Sequence, residues 1–229
     1  MQASDEGLTI EAFPGERVLI AKGLPHGIWL LVGPPGVGKS TFCKQFIADG
    51  LRAGKNAVYV STEEPPDSIR EYIQHPDINK VRIIDCYSWR DGGNPNHEYV
   101  ANPSNLNDVN ILLEKSRSGL AQFRYVMDSI SSLAISAGLS PVQKFLQISI
   151  ARLRTVKATG FCVVEKGAQD EKFMNYLRFA FDGVIEMDFN ENGSNLERTI
   201  RIFSMRGVKH ETTKRSFSIG DNGLTIEAR

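Results

Sequence analysis

The chain lacks most of what would place it in an oxidising compartment or a membrane. Its three cysteines, Cys43, Cys86 and Cys162, are spaced for neither a disulfide framework nor a metal site. The N-terminus, Met1-Gln2-Ala3-Ser4-Asp5-Glu6-Gly7, has no basic-then-apolar signal pattern, and no apolar run approaches the ~20 residues of a membrane span. The expectation is a cytoplasmic protein with no membrane association. Net charge is missing as well. The 27 Lys and Arg residues balance 27 Asp and Glu residues, so nucleic acid would have to be bound by a local patch and not by the surface at large. Two nucleotide-enzyme signatures are also absent. The one Asn-Lys pair, Asn79-Lys80, continues into Val81-Arg82 and not into a guanine-reading Asn-Lys-x-Asp, and the Ser-Gly-Gly signature of transporter ATPases does not occur.

What is present centres on residues 33–41, Gly33-Pro34-Pro35-Gly36-Val37-Gly38-Lys39-Ser40-Thr41. The apolar segment Gly27 to Val32 before it reads as a buried strand, and Phe42 to Ala53 after it reads as a helix. A glycine-rich turn between a strand and a helix is the setting of a phosphate-binding loop. Gly33, Gly36 and Gly38 let the main chain curl and aim its N–H groups inward, and the helix N-terminus adds partial positive charge. Lys39 is placed to reach the β- and γ-phosphates, Ser40 to hold a magnesium ion, and Thr41 to contact the α-phosphate.

Elsewhere, apolar runs alternate with amphipathic stretches, which predicts βαβ units and a mostly parallel sheet flanked by helices. Strands are expected at 27–32, 57–61, 81–86, 122–128 and 160–165, and helices at 39–53, 66–74, 106–117 and 141–157. The Gly-, Asn- and Pro-rich stretch 88–105 reads as a long loop. After residue 180 the pattern changes to two antiparallel hairpins, 184–189 with 199–204 and 216–219 with 224–227. No linker interrupts the chain, so residues 1–229 are expected to form one domain. The stretch Asp5 to Ala12 nearly repeats Asp221 to Ala228, as two similar edge strands would.

Two further groups of carboxylates complete the candidate site. Asp128 ends the apolar strand Phe123-Arg-Tyr-Val-Met-Asp, on the side of a parallel sheet where ligands bind. There it can hold magnesium, although a strand-end Asp capping the next turn reads the same way. Ser129 follows it, so a catalytic base has to come from elsewhere. Glu63 and Glu64 follow the strand 57–61, one helix beyond the phosphate loop, where a carboxylate can orient or deprotonate a water attacking the γ-phosphate. The alternative is a solvated pair at the start of the next helix.

The motifs Gly-Pro-Pro-Gly-Val-Gly-Lys-Ser-Thr, Val60-Ser-Thr-Glu-Glu-Pro-Pro66, Met127-Asp-Ser-Ile-Ser-Ser-Leu133, Asp182-Gly-Val-Ile and Met205-Arg-Gly-Val-Lys-His resemble the KaiC-type branch of the RecA/RadA superfamily of ATPases, over about Gly23 to Ile226. The resemblance implies a RecA-like P-loop core that binds ATP and Mg2+ between subunits of a homo-oligomeric ring or filament. It implies Glu63 and Glu64 as the catalytic pair and Glu165 as a γ-phosphate sensor. Arg206 and His210 would then reach into the neighbouring subunit's site. One departure is Ser204, where the family carries Lys two residues before that Arg; Lys209 or Lys214 would have to substitute. Two function classes follow. One is a RadA-like paralogue that binds single-stranded DNA, with Arg152, Arg154, Lys157, Lys166, Lys172 and the loop 167–173 as its DNA face, and a RadA-type recombinase as partner. The other is a signalling ATPase whose nucleotide state is read by a protein partner. A small-molecule kinase with 88–105 as its lid is a third reading.

Overall fold

The computed structural model describes residues 24–92, 98–192, 195–207, 210–221 and 223–227. Among these residues ten strands form one continuous sheet. In chain order they are β1 (Gly27–Gly33), β2 (Ala57–Ser61), β3 (Val81–Asp85), β4 (Tyr99–Val100), β5 (Arg124–Asp128), β6 (Thr159–Glu165), β7 (Gly183–Asn192), β8 (Asn195–Met205), β9 (Arg215–Gly220) and β10 (Gly223–Ile226). Their order across the sheet is β10-β9-β8-β7-β1-β6-β5-β2-β3-β4. The seven from β7 to β4 are parallel, and β8, β9 and β10 extend the sheet antiparallel beyond β7. The α/β class, the parallel core and the C-terminal hairpins match the expectation.

Among the described residues six α-helices pack on the two faces: α1 (Lys39–Arg52), α2 (Pro66–Ile73), α3 (Leu106–Arg117), α4 (Ile130–Ala137), α5 (Leu139–Thr155) and α6 (Glu171–Ala180). The central strands read as unbroken apolar runs because both faces are covered. In β1, Ile28, Leu30 and Val32 point into the core beneath α3 to α6, and Trp29 and Leu31 point to the core beneath α1 and α2. On the second face Phe42 and Phe46 of α1 meet the ring of Phe161 edge-on, at 5.0 and 4.9 Å. The same layer carries Ile200, Ile202, Phe217, Leu224 and Ile226, so the hairpin strands close over α1. Gln45 of α1 secures the last of them: its amide accepts from Leu224 N–H at 2.6 Å and donates to Leu224 C=O at 3.1 Å.

Two helices were not anticipated. Ser129 caps α4 by accepting from Ser132 N–H at 3.2 Å, and Asp170 caps α6 by accepting from Phe173 N–H at 2.8 Å. The α6 helix takes in the last part, residues 171–173, of what the sequence suggested as a DNA-facing loop at 167–173. The long loop 88–105 contains a 3-10 turn at Ser88–Asp91 and the short strand β4. The repeat partner Asp5 to Ala12, and Lys209, lie outside the described residues. Among the described residues no helix is long and apolar enough to cross a membrane.

Candidate active site

The site lies at the C-terminal ends of β1, β6, β5 and β2. Between β1 and α1 the chain turns with Gly36 at φ 73° and Gly38 at φ 111°, left-handed conformations that favour glycine. The turn is also crowded from below: a Cβ on Gly38 would lie 2.4 Å from Ile219 Cδ1, and one on Gly33 2.8 Å from the Met187 carbonyl oxygen. Val37 is buried in the core, which leaves its main chain to line the loop, whereas Pro34 is half-buried and Pro35 exposed. No side chain caps the N-terminus of α1 and no acid occupies its first turn, an arrangement that suits an anion. Lys39, only 8% exposed, donates to the Pro34 carbonyl at 2.7 Å and pairs with Glu165 Oε2 at 2.9 Å. Glu165 stands beside Gly33 because β6 and β1 are in register there. Ser40 and Thr41 are half-buried in the first turn of α1.

Asp128 is 3% exposed. Its Oδ2 accepts from the Tyr59 hydroxyl at 3.1 Å, whereas Oδ1 is buried without a protein partner. Burial is the largest influence on this carboxyl and pushes its pKa up to about 6; Glu63 and Glu64 add to the rise, and the Ser40 and Tyr59 hydroxyls oppose it. An unpartnered buried carboxylate oxygen beside a phosphate-loop serine fits a divalent cation, the usual compensation for such a group. Ser40 and Asp128 are therefore a chemically suitable pair for Mg2+.

The two glutamates have different surroundings. Register between β2 and β5 sets Ser61 against Asp128, and Thr62 Oγ1 accepts from Ser129 N–H at 2.7 Å. This junction puts Glu63 beside the start of α4, where its Oε1 accepts from Ser129 Oγ at 2.5 Å and Ser132 Oγ at 3.0 Å. Glu64 turns instead toward α1 and pairs with Lys44 at 3.0 Å. Lys44 also lies 4.8 Å from the centre of the Tyr72 ring. Tyr59, Lys44, Ser129 and Ser132 were not given a role in the site from the sequence. Ser129 alone had a local signal, as the N-cap that follows a strand-end Asp.

The family model described as "ATPase: KaiC" matches residues 14–229. The chain belongs to the KaiC family of ATPases. Its relatives include UPF0273 proteins of Pyrococcus furiosus, 27% identical over 93% of this chain and 91% of that one, and of Methanocaldococcus jannaschii, 28% identical over 93% of each. A solved structure of a KaiC-like protein from Pyrococcus horikoshii superposes with a TM-score of 0.74 at 26% identity, covering 94% of this chain and 96% of that one.

Arg206, expected to serve a neighbouring subunit's site, stands away from the phosphate loop of its own chain. Arg206 follows β8, whose Met205 is opposite Gly183, itself level with Trp29 of β1. That position is four residues before Gly33, about 13 Å down the strand from the phosphate loop. Arg206 therefore does not reach its own chain's site. Its guanidinium donates to the Phe179 carbonyl at 2.5 Å and lies 5.5 Å from the Phe179 ring centre. His210 is in the connection from β8 to β9, and Ser204 pairs with Val184 at the same lower edge. A cavity of about 180 Å³ lies beside Val32, between Lys166, Gln169, Arg178 and Glu186.

Proposed function

We propose that this KaiC-family chain binds ATP with Mg2+, hydrolyses it, and acts as a nucleotide-dependent regulator of a protein partner. The observation that carries the chemistry is Asp128: a buried carboxylate with one oxygen unpartnered, between Ser40 and Glu63. The loop N–H groups and Lys39 bind and orient the triphosphate, and Glu165, already on Lys39, is placed to sense its terminal phosphate. Ser40 and Asp128 hold magnesium, which when bound neutralises charge on the phosphate oxygens. Glu63 is the base. Both serine hydroxyls hold its Oε1, so Oε2 takes the proton of the attacking water. Glu64, engaged by Lys44, fixes α1 to the end of β2. Arg206 serves the site of a second copy in a homo-oligomer, where its charge offsets that developing on the phosphates.

The protein-partner reading is preferred to the RadA-like one because the proposed DNA face is largely self-neutralised. Arg152 pairs with Glu114 at 3.2 Å, Arg154 with Asp182 at 2.8 Å and Lys166 with Asp188 at 2.5 Å. Lys157 and Lys172 are exposed, and a single-strand site would rest mainly on them. Phosphate release measured with and without single-stranded DNA, over a salt titration, decides between the two. The expected result is turnover indifferent to DNA. Turnover stimulated by DNA, with binding that weakens steeply as salt rises, would reverse the preference.

A further inference from the structure

We propose that Phe179 is a positioning residue for Arg206: it holds the guanidinium on the outer surface, where a second copy's triphosphate receives it. The proposal rests on the reading of Arg206 as acting in trans. It begins with a side chain that the fold does not require. Phe179, near the end of α6, is 76% exposed, so its ring adds little to the core. Yet that ring lies 5.5 Å from the Arg206 guanidinium, and the Phe179 carbonyl accepts from Arg206 Nη2. One residue thus grips the arginine by face and by carbonyl, which fixes its long side chain in one direction.

The mounting beneath this pair is rigid. Asp182, three residues on, accepts from Ile28 N–H at 2.8 Å and from Arg154 Nε at 3.1 Å, and pairs with Arg154 Nη2 at 2.8 Å. Its own N–H donates to Ile28 C=O at 3.0 Å, and its carbonyl accepts from Arg206 N–H at 2.9 Å. Arg154 also donates to Ala180 C=O at 2.8 Å. The end of α6, the start of β7 and the end of β8 therefore meet at one corner, and both Phe179 and Arg206 project from it. Nearby on the surface a second exposed ring, Phe203, has Arg201 at 5.3 Å and Arg178 at 6.0 Å.

The occupant we assign to this surface is the nucleotide-bearing edge of another copy. Charge complementarity supports that choice. At the upper edge of the sheet Glu63 is exposed and carries no ion pair among the described residues, and a bound triphosphate would add further negative charge there, whereas the lower corner presents Arg206 on an aromatic support. Such a head-to-tail contact joins two different surfaces and closes into a ring or grows as a filament. A preset arginine enters it without losing side-chain freedom at the moment of contact.

The test is complementation between variants. Phe179→Ala is expected to fold with an unchanged melting temperature and to lower ATP turnover by up to about tenfold, with KM little altered. Phe179→Tyr is expected to restore turnover. Mixed with a Lys39→Ala chain, which lacks its own phosphate site but keeps Phe179 and Arg206, the Phe179→Ala chain should recover turnover at hybrid sites, which a role within its own chain would not allow. Parent-like turnover in Phe179→Ala beside strong loss in Arg206→Ala, or loss in Phe179→Ala that mixing fails to rescue, would overturn the proposal and leave the trans reading standing. Undiminished turnover in Arg206→Ala would instead remove the trans reading, and the role of Phe179 with it.

Discussion

Replacing Asp128 by Asn should make the protein more stable and less able to bind ATP with magnesium. The carboxyl has a folded-state pKa of about 6, above the 3.8 of a freely solvated aspartate. Between those values the folded chain holds a proton that the unfolded chain has released. The contribution of this group to stability is therefore most favourable below about pH 4 and is lost as pH rises through 6. At neutral pH the penalty of keeping the anion buried amounts to at most about 3 kcal/mol. Asn keeps an acceptor for the Tyr59 hydroxyl, and its amide has the Ser40 oxygen as a candidate acceptor, so most of that penalty is removed for little new cost. A gain of about 1–3 kcal/mol corresponds to roughly 3–10 °C in melting temperature for a chain of this size. The assay is thermal unfolding of parent and variant at pH 8 and pH 4, without nucleotide or magnesium, alongside calorimetric ATP binding with magnesium at pH 8. The variant should melt higher at pH 8, converge with the parent at pH 4, and bind ATP with magnesium more weakly. A variant no more stable than the parent at pH 8, or equally stabilised at both pH values, would refute the reasoning.

The two glutamates should separate kinetically. Glu63→Gln is expected to lower turnover at least a hundredfold while retaining ATP binding, and Glu64→Gln to cost markedly less; equal losses in single-turnover phosphate release would contradict the division drawn here. Lys39→Ala should abolish tight ATP binding by calorimetry, and near-parent affinity would displace the phosphate site. Gly160→Ala places a Cβ 2.1 Å from the Tyr125 carbonyl oxygen, a clash with backbone that should cost about 3 kcal/mol or more; a parent-like urea midpoint would show that β5 and β6 can separate to admit a methyl group.

The parts legible in the sequence are those written in local pattern. The phosphate loop could be read because its glycines, Lys39 and Ser40 are contiguous, and the buried strands because both faces are apolar over five to seven residues. Helix α4 was hidden because it is only eight residues long and its exposed side carries an apolar residue, Ile135, that blurs the stripe of Ile130, Leu133 and Ala134. Helix α6 does carry a start signal, Asp170 followed by Glu171, but its buried stripe of Phe173, Met174 and Leu177 is too short to stand out beside the adjoining glycine-containing turn. The arrangement around Glu63 was not legible at all. It depends on Ser129 and Ser132, 66 and 69 residues away, being delivered by the register of β2 with β5. The roles of Glu63 and Glu64 diverge through Lys44, whose significance becomes clear only once α1 lies against the end of β2. Likewise Arg206 reads as a plain strand-edge cation until the order of β8, β7 and β1 shows how far it stands from Gly33.

The Gln45 amide has a consequence at the border of the sheet. Among the described residues strand β10 is an outer strand, and a bare outer strand invites main-chain pairing with any extended segment that drifts past. At Leu224 both main-chain groups are already bonded to that one glutamine, so the row of docking points is broken in its middle. At the opposite border β4 is only two residues long, too brief to template a foreign strand. Among the described residues the sheet is thus blunted at both margins, which leaves any contact with another molecule there to side chains rather than to an added strand.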